Sequence, residues 1–301
     1  MAPTCGVTPR RVSRSLKGTS MPSSHHQVSA SINTEQLANK IAAAVESAWH
    51  RAYGAGRLDV PISVVATLAA LPEKDSCGHH VNETVSSWDA DTFHDFARHT
   101  WSSVIRHRPE ITHLLHPMVS WIFDDPDREV RSHAVAVAQA ALRAGQPHLT
   151  GTERRFDVDL LGTVLTVLRP KPALKARGQF YTPGSIAKLV AGMSDVREHS
   201  NVTDPMMGTG GMFRAVAEVM RERGRDPHTI RWIGCDVDTL AVACATVNSM
   251  IWNLGTDIVF QAGNTLEPGW REVALAQREE LRRLAADLQR DQAMNAFVRS
   301  L

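Results

Sequence analysis

Between Asn201 and Phe213 the chain reads NVTDPMMGTGGMF, with three glycines in four positions (Gly208, Gly210 and Gly211) after a short extended run that ends on Asp204. Glycine tolerates positive φ and carries no Cβ, so such a loop lets the backbone swing sharply from a strand into a helix while a ligand approaches the main chain. The same rhythm continues downstream. A helix is expected from Met212 to Arg223, stopped by Gly224, then a strand over Ile230 to Cys235, a helix over Leu240 to Leu254 and a strand over Asp257 to Phe260. Strand, helix, strand, helix, strand is the alternation that gives a parallel sheet with right-handed crossovers, so the expected class is α/β.

The chain upstream follows another period. Residues 1–31 are rich in Ser, Pro, Arg and Thr without hydrophobic periodicity and are expected to be a disordered tail, with Met21 an alternative start. From residue 32 to 168 helical patterns follow one another: Leu37, Ile41 and Val45 share a face behind an Asn33 cap, and further helices are expected at 61–71, 89–107, 110–122, 127–143 and 157–168. This stretch reads as an all-helical domain. Arg169 to Gln179 (RPKPALKARGQ) interrupts it and reads either as a solvated linker or as a contact to backbone phosphates. A helix opening at Pro183 and running to Met193 precedes the first strand. The ligand-binding domain is expected over 169–268, and a charged C-terminal helix, with Leu281, Leu284 and Leu288 on one face, over 269–301.

Composition narrows the setting. A formal charge of +1 supplies no global field toward nucleic acid, so contact with DNA would come from local patches or a partner chain. Cys5, Cys77, Cys235 and Cys244 form no CxxC pair and read as free thiols of a reducing compartment. The His25-His26 and His79-His80 pairs lack a second ligand pair at zinc spacing, so no metal is expected. No apolar run approaches the roughly 20 residues of a membrane span, and the N-terminal residues lack a secretory core. The expected location is cytoplasmic.

Two ligand classes use a glycine turn of this kind. A dinucleotide prefers GxGxxG, but Phe213 stands where the third glycine belongs. S-adenosylmethionine carries a sulfonium and an ammonium, which favour the acidic Asp204 at the strand end. At the tip of the second strand, Asp236 can accept hydrogen bonds from two ribose hydroxyls, and after the third strand the side-chain oxygen of Asn264 can accept one from an adenine amino group.

Gly178-Gln179-Phe180-Tyr181-Thr182-Pro183, Asp204-Pro205 with Gly208, Gly210 and Gly211, Gly234-Cys235-Asp236, and Gly263-Asn264-Thr265-Leu266 together resemble the adenine-N6 DNA methyltransferase family. The closest resemblance is to the modification subunit of type I restriction systems, which Asp159-Leu160-Leu161-Gly162 also matches. The resemblance covers about residues 155 to 268. It implies an incomplete Rossmann-like methyltransferase sheet behind a helical domain, S-adenosyl-L-methionine as cofactor, and DNA as substrate, reached directly or through a partner. A specificity subunit or a second methyltransferase chain is the implied partner, in a restriction-modification context. Thr182 and Pro183 would line the methionine end, joined by Asp204, Pro205, Gly208, Gly210, Asp236 and Asn264 as cofactor-binding residues. Phe180 and Tyr181 are expected either to pack the pocket wall or to touch the cofactor or base directly.

The family grips a flipped adenine with an (Asp/Asn/Ser)-Pro-Pro-(Tyr/Phe) segment, and this chain contains no Pro-Pro dipeptide. Asp124-Asp125-Pro126-Asp127 is the nearest imitation and reads as a helix cap. No catalytic residue is therefore assigned. The alternatives are a cofactor-binding or regulatory protein without chemistry, or a truncated methyltransferase that needs a partner chain. On this topology the first strand would be an edge with apolar faces, to be covered by the terminal helix, a second copy or another polypeptide.

Overall fold

The computed structural model describes residues 33–300 apart from 55, 75–77 and 170–181, so the expected tail (1–31), most of the basic linker and Gly178 to Tyr181 lie outside the described residues. Asn33 accepts the Glu35 amide hydrogen and starts α1 (Thr34–Tyr53), whose buried Leu37, Ile41, Val45 and Trp49 form one face. That face packs on α6 (Arg128–Ala144), capped by the Asp127 side chain, and on α8 (Leu160–Leu168), capped by Asp159. At the centre lies α2 (Asp59–Leu68), which has no polar face because Val60 to Leu68 are all buried. Its two hydroxyls are satisfied: Trp101 Nε1 donates to Thr67 Oγ1 at 2.9 Å and Trp121 Nε1 to Ser63 Oγ at 2.7 Å. The donors sit on α4 (Ala90–His107) and α5 (Thr112–Phe123); α3 (Val81–Ser86) and α7 (Pro147–Thr150) are short connecting helices.

After α9 (Gly184–Met193) come β1 (Asn201–Asp204), α10 (Gly211–Glu222), β2 (Arg231–Asp236), α11 (Thr239–Ile251), β3 (Ile258–Ala262) and α12 (Trp270–Ser300). The strands form one parallel sheet in the order β1-β2-β3, with Asp204 beside Gly234 and Asp236 beside Ala262. The described molecule is therefore mixed α/β, mostly helical, with a small three-stranded parallel sheet. Phe213, the bulky residue of the glycine loop, is fully buried, stacked on Phe260 with centroids 5.6 Å apart and edge-on to Trp232 at 5.5 Å. Burying such a ring contributes about 1.5–3 kcal/mol and locks α10 onto the sheet.

The helical residues and the sheet residues belong to one compact unit, Asn33–Leu301. Arg169, expected to begin either a solvated linker or a contact to backbone phosphates, is instead buried, its guanidinium paired at 2.5 Å with Asp238, whose side chain is also buried. Asp238 also caps α11 through the Leu240 and Ala241 amides, so one carboxylate joins the end of α8 to the start of α11. The expectation for the edge strand also changes. β1 has four residues, of which Val202 alone is hydrophobic, and all four are exposed or half-buried. Its length and polarity leave no apolar strand face to cover. The terminal helix packs along β3 and the turn at Pro109–Ile111, at the other side of the sheet.

Candidate functional site

The three strand tips point the same way because the strands are parallel, and the loops leaving them meet there. Asp204 ends β1 and turns its own loop, its Oδ1 accepting the Met206 amide hydrogen at 3.0 Å. Gly208 (φ +52°) and Gly210 (φ +91°) then take left-handed conformations, and Gly210 opens α10. A Cβ on Gly210 would stand 3.3 Å from the Trp252 ring, so close packing as well as backbone geometry calls for glycine there. The neighbouring tip holds the loop in place: the Gly208 amide donates to Asp236 Oδ2 and the Asp238 amide to Asp236 Oδ1, both at 2.9 Å.

A cavity of about 380 Å³ opens beside this loop. Its floor is the loop, through Asp204, Met206 to Thr209, Gly211 and Met212, and its opposite wall comes from the helical region: Glu35 and Asn39 of α1, Asp157 and Asp159 before α8, Thr163 and Thr166 within it. Thr182 and Gly184 also line it. Among the described lining residues the ionisable groups are Glu35, Asp157, Asp159 and Asp204 against one cation, Arg214, which pairs with Glu218 at 2.9 Å. The cavity is thus acidic. Burial pushes the Asp204 carboxyl above the usual carboxylate range, opposed by the Met206 amide and aided by the nearby negative charge of Asp236. Burial raises the Asp159 carboxyl too, against hydrogen bonds from Thr209, Gly162 and Asn248 that favour its ionised form. A cationic ligand would relieve both carboxylates.

The expected residues divide between the cavity and its rim. Thr182, Asp204 and Gly208 line it. Pro205 is exposed in the turn, Gly210 is buried at the start of α10, and Pro183 precedes α9 with its carbonyl accepting from Ile186 and Ala187. Asp236 lies just beyond the cavity, bound to its floor through Gly208. Asn264 is exposed at the β3 tip, outside the cavity, and its Oδ1 already accepts the Leu266 amide hydrogen at 3.0 Å. The sequence left Glu35, Asn39, Asp157 and Asp159 unassigned as site residues. For Glu35 no local signal exists, since it reads as an ordinary acidic residue in the first turn of a helix. For Asp159 the signal was the Asp-Leu-Leu-Gly motif, which looks like a helix cap and is one.

Residues 159–286 match the family model described as N-6 DNA Methylase. Over 84 residues the chain is 34% identical to the type I restriction enzyme MjaIX methylase subunit of Methanocaldococcus jannaschii. That alignment takes in 28% of this chain and only 15% of the archaeal protein. The crystal structure of the type I restriction-modification system methyltransferase subunit from Streptococcus thermophilus is similar at 15% identity and a TM-score of 0.37, over 78% of this chain and 60% of that one. Among the described residues no helix is long and apolar enough to cross a membrane.

Proposed function

We propose, from the relation of residues 159–286 to the N-6 DNA methylase family, that this chain binds S-adenosylmethionine in the acidic cavity and serves adenine-N6 methylation of DNA. The observation that carries the reading is the convergence of Asp204, Asp236 and the Gly208–Gly210 turn at one edge of a parallel sheet, beside a cavity whose ionisable lining is mainly acidic. On this reading the sheet is a Rossmann-like methyltransferase sheet, and the methionine half of the cofactor enters the cavity while the adenosine half lies over the strand tips. Asp204 faces the cationic centre. The amides at the start of α10, uncapped by any side chain, receive the carboxylate, with Thr182 and Pro183 at that end. Asp236 keeps lone pairs for the ribose hydroxyls while holding Gly208, and Asn264 offers its second lone pair to the adenine amino group. When bound, the cofactor supplies an electrophilic methyl group on a sulfonium. What the chain contributes is orientation and a charged enclosure. DNA, and a specificity subunit or second methyltransferase chain, are the partners proposed for a cytoplasmic modification assembly.

A second reading, cofactor binding without methyl transfer by this chain alone, is favoured by the role of Asp124 to Asp127. Asp127 caps α6 through the Val130 amide at 2.9 Å, Asp125 pairs with Arg131, and the Pro126 carbonyl accepts from the same guanidinium at 2.9 Å. The nearest imitation of a base-gripping segment is therefore engaged in building a helix start, away from the cavity lining. Transfer of labelled methyl groups from S-adenosylmethionine to duplex DNA separates the two readings. Incorporation at adenine N6 by the chain alone supports the first; saturable cofactor binding with no incorporation supports the second, and absence of binding removes both.

A further inference from the structure

The glycine loop is held from below as well as from the neighbouring strand. Asp159, at the junction between the helical region and the sheet, receives the Thr209 hydroxyl on Oδ2 at 2.5 Å, and on Oδ1 the Gly162 amide and the Asn248 side-chain amide, each at 2.8 Å. Asn248, buried in α11, uses the same nitrogen to donate to the Thr209 carbonyl at 2.9 Å. Thr209 lies between the two left-handed glycines, and both its side chain and its carbonyl are held by groups outside the loop. The space around these atoms is closed. A Cβ on Gly162 would meet Asp159 Oδ2 at 2.3 Å and Thr209 Oγ1 at 2.5 Å, which makes Gly162 a condition of the contact. Two further bonds tie the same segments: Trp252 Nε1 to the Val158 carbonyl at 3.2 Å, and Arg214 to the Phe156 carbonyl at 3.3 Å.

We propose that Asp159 is a positioning residue for the glycine loop, and that Asp159, Thr209 and Asn248 form a clamp through which the helical region sets the loop in its ligand-receiving shape. The clamp as a cofactor-affinity device rests on the cofactor reading above; the clamp as a loop-holding device does not. A carboxylate suits this place because it accepts from three donors at once, whereas an amide would turn a donor toward one of them. Since the same helical segment lines the far wall of the cavity, a shift of α8 against the sheet would move both walls of the site together.

Hydrogen exchange on the full chain without ligand tests the clamp first, because the Gly208 and Gly210 amides are hydrogen-bonded and report the loop directly. Asp159→Asn and Thr209→Val should each speed exchange at Gly208 and Gly210 by about tenfold, the effect of losing one enclosed hydrogen bond, while amides in α6 keep the wild-type rate. Thr209→Ser, which retains the hydroxyl, should restore it. The same variants should weaken S-adenosylmethionine binding by about tenfold at a temperature well below their melting points. Unchanged loop exchange in both Asp159→Asn and Thr209→Val overturns the proposal. So does faster exchange spread equally over α6, which would mark a general loss of stability. Should the wild-type chain fail to bind cofactor while the loop responds as described, the clamp stands and the cofactor reading falls.

Discussion

Asp236 and Gly208 belong to different strand tips, yet the Asp236 carboxylate accepts the Gly208 amide hydrogen at 2.9 Å, so the tip of β2 and the glycine loop of β1 behave as one structural piece. A residue expected only to meet a ribose thus also shapes the glycine loop.

Replacing Asp236 therefore removes two things. Asp236→Ala should weaken S-adenosylmethionine binding by roughly 1–3 kcal/mol through the lost charged acceptor, and should further release the Gly208 and Asp238 amides. Asp236→Asn retains an acceptor for one amide and should fall between the two. Calorimetric affinities for the three proteins would check the order, and wild-type affinity in Asp236→Ala would refute the ribose role.

Asp204 gives a pH dependence whose sign follows from its burial. Its folded-state carboxyl titrates above the usual range, so the empty protein is more stable with it protonated, and that contribution is lost as pH rises through the raised value. A cationic ligand binds the ionised form. Affinity should therefore fall as pH drops from neutral, beginning at a higher pH than an ordinary carboxylate would produce. Asp204→Asn should flatten this profile and weaken binding by about tenfold or more, while the ligand-free melting temperature at neutral pH rises or stays level. A lower melting temperature together with unchanged affinity would contradict the assignment.

Gly234 sits at the centre of the sheet, where a Cβ would stand 2.2 Å from Met207 Sδ and 3.1 Å from the Phe213 ring. Gly234→Ala should destabilise the protein by about 1–3 kcal/mol, since Met207 and Phe213 are both buried and the ring is stacked on Phe260. Thermal or urea unfolding measures this, and the midpoint of Gly234→Ser should fall at least as far.

Much of this architecture was legible from residue pattern alone. Asn33 and the Asp124 to Asp127 turn announce helix starts, and Asn33 and Asp127 each cap one in the structure. The glycine run between a strand signal and a helix signal fixed where a ligand loop would form, and parallel pairing brought Asp204 and Asp236 to one edge. The pattern was silent about the other wall. Glu35 and Asn39 reach the cavity because α1 packs on α8, a contact between segments more than a hundred residues apart that no local periodicity encodes. The burial of Arg169 was hidden for a related reason: among prolines and cations it reads as solvated or phosphate-binding, and its ion-pair partner Asp238 lies far along the chain. The short helices at Val81–Ser86 and Pro147–Thr150 were likewise missed, being too brief to show a period.

Titration calorimetry of the full chain with S-adenosylmethionine at neutral pH, run beside Asp204→Ala, tests the central claim most directly. Saturable binding at one molecule per chain, lost or reduced at least tenfold in the variant, is the predicted result. No saturable heat from the folded wild-type protein, or equal affinity in both proteins, would contradict it.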